Sequence, residues 1–202
     1  EMGAVALLSP EEEVEIAIHI ERGEKQIQKA VFSLPTAIKE INDIGHRLRE
    51  DSLNLTTVIK GLNDIDALAM RQEKEKFLWK IGEAERIDNE RSALVTDLNG
   101  LDVTDGTQAQ VEKTATKLQV RIDRCGHAIA ALFDEYRITN PILDRLVKEL
   151  ISVAEQVNAA RKAIENGASK HAAHFLDDLE NAYGIDSNTL LHTVALIGQA
   201  QL

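Results

Sequence analysis

The chain predicts an all-α fold, an elongated multi-helix bundle with long antiparallel helices, and three observations carry that expectation. Apolar residues recur at alternating spacings of three and four along the middle of the chain. Only 3 prolines occur in 202 residues, so few points force a helix to break. Hydrophobic residues make up 44% and aromatics only 3%, which predicts an aliphatic core, and few β-branched runs alternate with polar residues as strands require.

The first helix is expected from Pro10 to about Phe32. Ser9 can accept a hydrogen bond from the free backbone N–H groups at its start. Pro10 suits the first helical position because it has no N–H to leave unpaired, and Glu12 completes a capping box with Ser9. Glu11, Glu12 and Glu13 lie where the positive end of the helix dipole favours negative charge. Ser33-Leu34-Pro35 marks a break and restart, since Pro35 disfavours helical geometry at Leu34 and Ser33 can cap the next helix. That second helix carries Ile38, Ile41, Ile44 (or Gly45) and Leu48 on one face and stops near Asp51-Ser52. A short helical turn around Thr56–Lys60 ends at Gly61, and Asn63-Asp64 offers the next start signal.

Three long segments come next. The first, about Asp66 to Leu98, places Phe77, Ile81, Ala84, Ile87, Leu94 and Leu98 on one stripe, which Arg91 interrupts. Asn99-Gly100 and Asp105-Gly106 bracket a loop. The second, about Thr107 to Tyr136, repeats Val111, Ala115, Leu118, Ile122, Cys125, Ile129, Leu132 and Tyr136. The third starts at Asn140-Pro141, repeats Leu143, Leu146, Leu150, Val153, Val157, Ala160 and Ile164, and ends at Gly167. Such seams imply helices packed nearly parallel or antiparallel. Each would be about 40 Å long, and short connections make neighbours antiparallel. His171–Tyr183 then forms a helix closed by Gly184. Asp186-Ser187 caps a last helix with Leu190, Leu191, Val194 and Ile197. It meets no stop signal before Leu202, so the chain reads as an excised fragment that ends mid-helix.

Charge and residue inventory exclude several function classes. The formal net charge is −11, from 34 acidic and 23 basic residues, so the body of the chain is not built to grip phosphate. Cys125 is the only cysteine and can form no disulfide within the chain, which fits a cytoplasmic location. No signal segment opens the chain and no apolar run approaches the length of a membrane span. None of the histidines has a glutamate three residues before it, so the ligand pairs of a di-metal carboxylate bundle are missing. His171 and His174 share a helix face that reads as solvated rather than metal-binding. Cys125 and His127 point to different faces and cannot form a nucleophile–base pair. Phe77 and Trp79 with Lys74, Lys76 and Lys80 could mimic a basic-aromatic nucleic-acid patch. Glu73, Glu75, Glu83 and Glu85 cancel that charge, and a face packed on its neighbour is the better reading. No catalytic residue, cofactor site or metal site is expected, and the chain is read as no enzyme.

Residue order in the opening stretch adds what periodicity cannot. The run Glu1-Met2-Gly3-x-Val5-x-Leu7-Leu8-Ser9-x-Glu11-x-Glu13-x-x-Ile16-Ala17-x-x-Ile20-Glu21-x-Gly23 resembles region 1.2 of primary, housekeeping bacterial sigma factors, the promoter-specificity subunits of RNA polymerase. The resemblance continues through Gln26, Gln28, Val31, Pro35, Ala37 and Ile38. A threonine is usual in that family where Ser9 stands, and either residue caps a helix. Leu179-Glu180-x-x-x-Gly184 and Ile197-Gly198-x-Ala200 look like the family's return segment, which leads into region 2.1.

The resemblance divides the chain into a region 1.2-like capped helix (1–38), a helical non-conserved insert (39–170) and return helices (171–202), all one continuous helical domain. It implies a part of a subunit that directs RNA polymerase to promoters in transcription initiation. Region 1.2 would lie near the discriminator DNA and support the −10-reading region, with Glu1, Met2 and Gly3 closest to the DNA-facing edge. Leu7, Leu8, Ile16, Ala17 and Ile20 would pack. The insert would face the β′ subunit of core polymerase, and promoter DNA would be a partner only in full-length sigma within the holoenzyme. The fragment itself is expected to be monomeric. A free-standing helical scaffold or coiled-coil adaptor, motivated by the seams from Thr107 to Gly167, is the alternative.

Overall fold

A computed structural model of the chain describes residues 9–101, 107–166, 169–183 and 186–200. Seven α-helices form among them: α1 (Pro10–Phe32), α2 (Pro35–Arg49), α3 (Ala67–Asn99), α4 (Gln108–Leu132), α5 (Asn140–Glu165), α6 (Ser169–Tyr183) and α7 (Ser187–Ala200). A single 3-10 turn, Leu55–Thr57, lies between α2 and α3. The all-α class and the long helices are as the periodicity predicts. Gly61, at φ +85°, comes after the 3-10 turn as expected, whereas Asp105, Gly106, Gly167 and Gly184 lie outside the described residues.

Local chemistry sets most helix starts. Asp66 Oδ1 accepts from Ala69 N–H at 2.8 Å to begin α3, and Asp186 Oδ1 accepts from Asn188 and Thr189 N–H, each at 3.0 Å, to begin α7. Two caps differ from expectation. Ser33 does not cap α2: its hydroxyl donates to Ala30 O at 2.7 Å, and Leu34 stands at the cap with no side-chain bond. The cap of α5 is Thr139, one residue before Asn140. At the far end of α2, Asp51 takes a left-handed φ of 54°, and Ser52 N–H returns to Arg47 O at 3.0 Å, which stops the helix.

The second long helix is also shorter than its seam suggests. α4 ends at Leu132 rather than Tyr136, because the chain tightens into a turn at Phe133, with Tyr136 N–H donating to Phe133 O at 3.0 Å, and is then bonded sideways instead of along a helix. Gln28 Nε2 donates to Phe133 O at 3.0 Å and Tyr136 O at 2.9 Å, while Gln28 Oε1 accepts from Ile138 N–H at 3.0 Å. In a continued helix the two carbonyls would accept from N–H groups four residues on. The opposite edge of the strap is held by the 55–60 turn. Lys60 N–H donates to Arg137 O at 2.8 Å and Thr139 N–H to Val58 O at 2.9 Å, around an isolated antiparallel bridge between Ile59 and Ile138.

α3 and α4 form the antiparallel hairpin that their short connection predicts: Lys76 and Lys80 meet Glu135, and further along Arg121 meets Glu90 at 3.7 Å. α2 packs on α3, α5 packs on α6 and α7, and α1 touches both groups through α4, α5 and α7. α4 and α5 do not pair along their lengths. The α5 seam from Leu143 to Ala160 is instead buried against helices of its own chain.

The core is less aliphatic than the composition implies. Phe32, Phe77, Phe133 and Tyr136 come together at its centre, with Phe32 stacked on Phe133 at 5.0 Å and Phe77 set edge-on to Phe133 at 5.9 Å and to Tyr136 at 5.0 Å. Few aromatics do not mean dispersed ones.

The residue that breaks the α3 stripe is a ligand for a turn. Arg91, 3% exposed, donates from Nη1 to Ser33 O at 2.8 Å, and its Nε is held by Asp88 at 2.9 Å. The same carbonyl lies against α4, where a Cβ built on Gly126 would come within 2.6 Å of Ser33 O. Glycine is required there because backbone, not a side chain, fills the space.

Three substitutions test this packing. Gly126→Ala lowers the thermal midpoint, an overpacking cost of about 1–3 kcal/mol. Gly82→Ala, on a helix face with nothing within 4 Å, raises stability by up to about 1 kcal/mol. Gln28→Leu removes three buried hydrogen bonds worth about 1 kcal/mol each. Chemical denaturation monitored by circular dichroism checks all three, and equal effects of the two glycine substitutions would contradict the assigned contact.

Candidate functional site

The stretch with sequence meaning, residues 1–26, enters the described structure at Ser9. Ser9 N–H donates to Glu12 Oε2 at 2.7 Å and Glu12 N–H to Ser9 Oγ at 3.2 Å, so the expected capping box forms. The Ser9 backbone N–H first, and then the Ser9 hydroxyl, hold the Glu12 carboxyl below its ordinary pKa. The helix so started is unlike the others, because all of Pro10–Ile20 is exposed.

The exposed half is also apolar at several positions. Val14, Ile16, Ile18 and Ile20 stand 59%, 44%, 50% and 58% exposed, and Ala17 is exposed between them. Ile16, Ala17 and Ile20, expected to pack, therefore face solvent in this chain. Glu1, Met2, Gly3, Leu7 and Leu8 lie outside the described residues.

The second half of α1 is anchored. Beyond the Gln28 bonds, Glu24 meets Lys60 Nζ at 2.9 Å and Arg137 Nη2 at 3.5 Å, and Glu21 meets Arg137 Nη1 at 3.9 Å. Burial by itself would raise the Glu24 pKa, but Lys60 and then Arg137 outweigh it and hold the carboxyl below its ordinary value. The exposed half thus projects from a firmly held base.

The other residues singled out in the sequence fall into place separately. Phe77 is fully buried, but Trp79 is 65% exposed, because residues two apart on a helix face different ways. The packed-face reading holds for Phe77 and fails for Trp79. Lys74 pairs with Asp51, and Lys76 and Lys80 both pair with Glu135 while lying 5.7 and 5.6 Å from the Tyr136 ring centroid. Each of these lysines serves a carboxylate. The Tyr136 hydroxyl is buried without a hydrogen-bond partner, and burial first, then the Glu73 carboxylate, pushes its pKa well up. Cys125 is 8% exposed with its thiol pKa pushed up, chiefly by burial. His174 lies 3.8 Å from Asp178 on an exposed face.

The sequence reading missed a cleft of about 1030 Å³ between the α3–α4 hairpin and α6–α7, with the end of α1 and the start of α2 as its floor. No local signal could have found it, since its walls come from segments distant in sequence. The missed Gln28 latch did leave a trace, a polar residue on the helix face that carries Val31 and Phe32 three and four positions on.

Linkage gives this region a pH signature. A carboxyl with a depressed folded-state pKa contributes stability above its unfolded value and loses it as pH falls through the folded one. Below about pH 4.5, the ordinary value for glutamate, the thermal midpoint of the chain falls, and Glu24→Gln makes that fall shallower while lowering the midpoint at pH 7. An unchanged acid slope in Glu24→Gln would show that the anchor carries no such linkage.

Comparison with known families adds one finding. Residues 1–26 match the family model described as Sigma-70 factor, region 1.2.

Proposed function

We propose that the chain is the region 1.2 and insert portion of a primary, housekeeping sigma factor, and that it acts without catalysis. The observation that carries this reading is the match over residues 1–26. The exposed apolar half of α1 supports it, because such a face on a well-capped and firmly based helix is suited to cover another surface. In this reading Ile16, Ala17 and Ile20, together with Leu7 and Leu8, pack against the −10-reading region of the full-length subunit. Glu1, Met2 and Gly3 approach the discriminator strand of promoter DNA.

The remaining parts obey the same logic. Residues 39–170 form the insert, which faces the β′ subunit, and residues 171–202 return the chain toward region 2. The boundary after residue 38 is one of sequence character and falls inside α2. A net charge of −11 keeps the insert off DNA on its own, so promoter contact belongs to the holoenzyme. The site of action is the cytoplasm, and among the described residues no helix is long and apolar enough to cross a membrane.

The scaffold alternative needs a seam left free for a partner. The α5 seam is buried within the chain, which removes half of the surface a coiled-coil adaptor would use, whereas Val111, Ala115, Leu118 and Ile122 of the α4 seam are half-buried.

Two measurements test the proposal. A photo-crosslinker at Met2 of the full-length subunit, assembled with core polymerase on a promoter, labels the non-template strand just downstream of the −10 element. The double variant Ile16→Asp/Ile20→Asp leaves the stability of the chain within about 0.5 kcal/mol of wild type, as expected for exposed sites, yet impairs open-complex formation by the holoenzyme. Tight promoter binding by the chain alone at physiological salt, or a stable dimer in sedimentation, would overturn the reading.

A further inference from the structure

We propose that the cleft between the α3–α4 hairpin and α6–α7 docks an amphipathic helix of another protein whose polar edges carry lysine or arginine. The two walls do not pack extensively on each other: α6 and α7 rest on α5, and α7 also on α1, while α1 and α2 supply the floor. The opening has a volume of about 1030 Å³ and runs from Thr189 to Gln199 along α7, roughly 15 Å. About ten residues of helix, nearly three turns, fit that length.

Chemistry selects the occupant. Leu98 on α3, Ile122 on α4, Leu34 below and Leu196 on α7 turn apolar side chains to the cleft, and Leu196 is 45% exposed. An apolar stripe at helical spacing covers such a surface. Carboxylates edge both walls, Asp123 on one side and Asp177, Glu180 and Asp186 on the other. Glu180 and Asp186 already accept from the first N–H groups of α7 and Arg91 is bonded to Asp88, which leaves Lys29, among the described lining residues, against Asp123 and Asp177. With the chain at −11 overall, an acidic helix or a nucleic acid is repelled and a basic helix is attracted. The inference needs neither promoter nor polymerase and so stands apart from the proposed function.

The test uses the chain and a fluorescein-labelled synthetic peptide of about 14 residues, with leucines on one helical face and lysines elsewhere. Fluorescence anisotropy is expected to show saturable binding. Leu196→Lys weakens it about tenfold, the loss of roughly 1.4 kcal/mol of apolar contact. Asp123→Asn and Asp177→Asn each weaken it about threefold, as for exposed charge pairs. All three side chains are exposed, and circular dichroism is expected to show unchanged helix content. A peptide of the same composition with its leucines scattered around the helix, and one with glutamate for lysine, are expected to bind at least about tenfold more weakly. Equal binding of either control, or indifference to Leu196→Lys, overturns the proposal. So does a micromolar dimer of the chain that Leu196→Lys dissociates, which would place a second copy in the cleft.

Discussion

The fold depends on one glutamine. Gln28 satisfies two carbonyls and one N–H of the segment after α4, and it does so from inside the core at 6% exposure. Phe133 O also accepts from Tyr136 N–H at 3.0 Å, but without Gln28 the Tyr136 carbonyl and the Ile138 N–H would lose the side-chain bonds that pair them, at a cost comparable to losing the bonds outright. With it, the chain can leave α4 at Leu132, cross beside α1 as an extended strap and re-enter a helix at Asn140. The aromatic cluster forms for the same reason. Phe133 and Tyr136 lie in the strap, and only its sideways course brings them onto Phe32 and Phe77.

A second backbone group works in the same way. Ser33 O, at the turn between α1 and α2, is received by Arg91 of α3 and lies against α4 at Gly126. The turn is thereby keyed into the hairpin. Both junctions are polar contacts within apolar surroundings, where a hydrogen bond can be met in only one register. Apolar seams alone would tolerate sliding by a turn, whereas these contacts do not.

These junctions explain why α1 is two helices in one. Its second half bears the latch, the Glu24–Lys60–Arg137 anchor and the contacts to α4, α5 and α7. Its first half has only its own cap, dipole and hydrogen bonds, and carries its apolar residues into solvent. The part that matches region 1.2 extends over this free half and into the start of the anchored one. A rigid base with an uncovered apolar arm is the form expected of a segment completed by neighbouring structure.

Sequence by itself determined the helices and most of their ends, because capping, proline geometry and apolar periodicity act within a few residues. It predicted the bounds of α1, the seam of α5 and antiparallel neighbours among the long helices, which α3 and α4 form and α4 and α5 do not. Tertiary structure decided where a periodic seam stops being helical, which polar residues within seams are anchors, and which helices face each other. Tyr136 continues the α4 pattern perfectly but belongs to the strap, because Gln28, more than a hundred residues away, takes its carbonyl. Trp79 and Phe77 are near neighbours in sequence but differ in burial, because only one face of α3 meets the core. The cleft has no sequence trace at all. Its walls are held in place by the packing of α1, α2 and α5, and that packing is long-range.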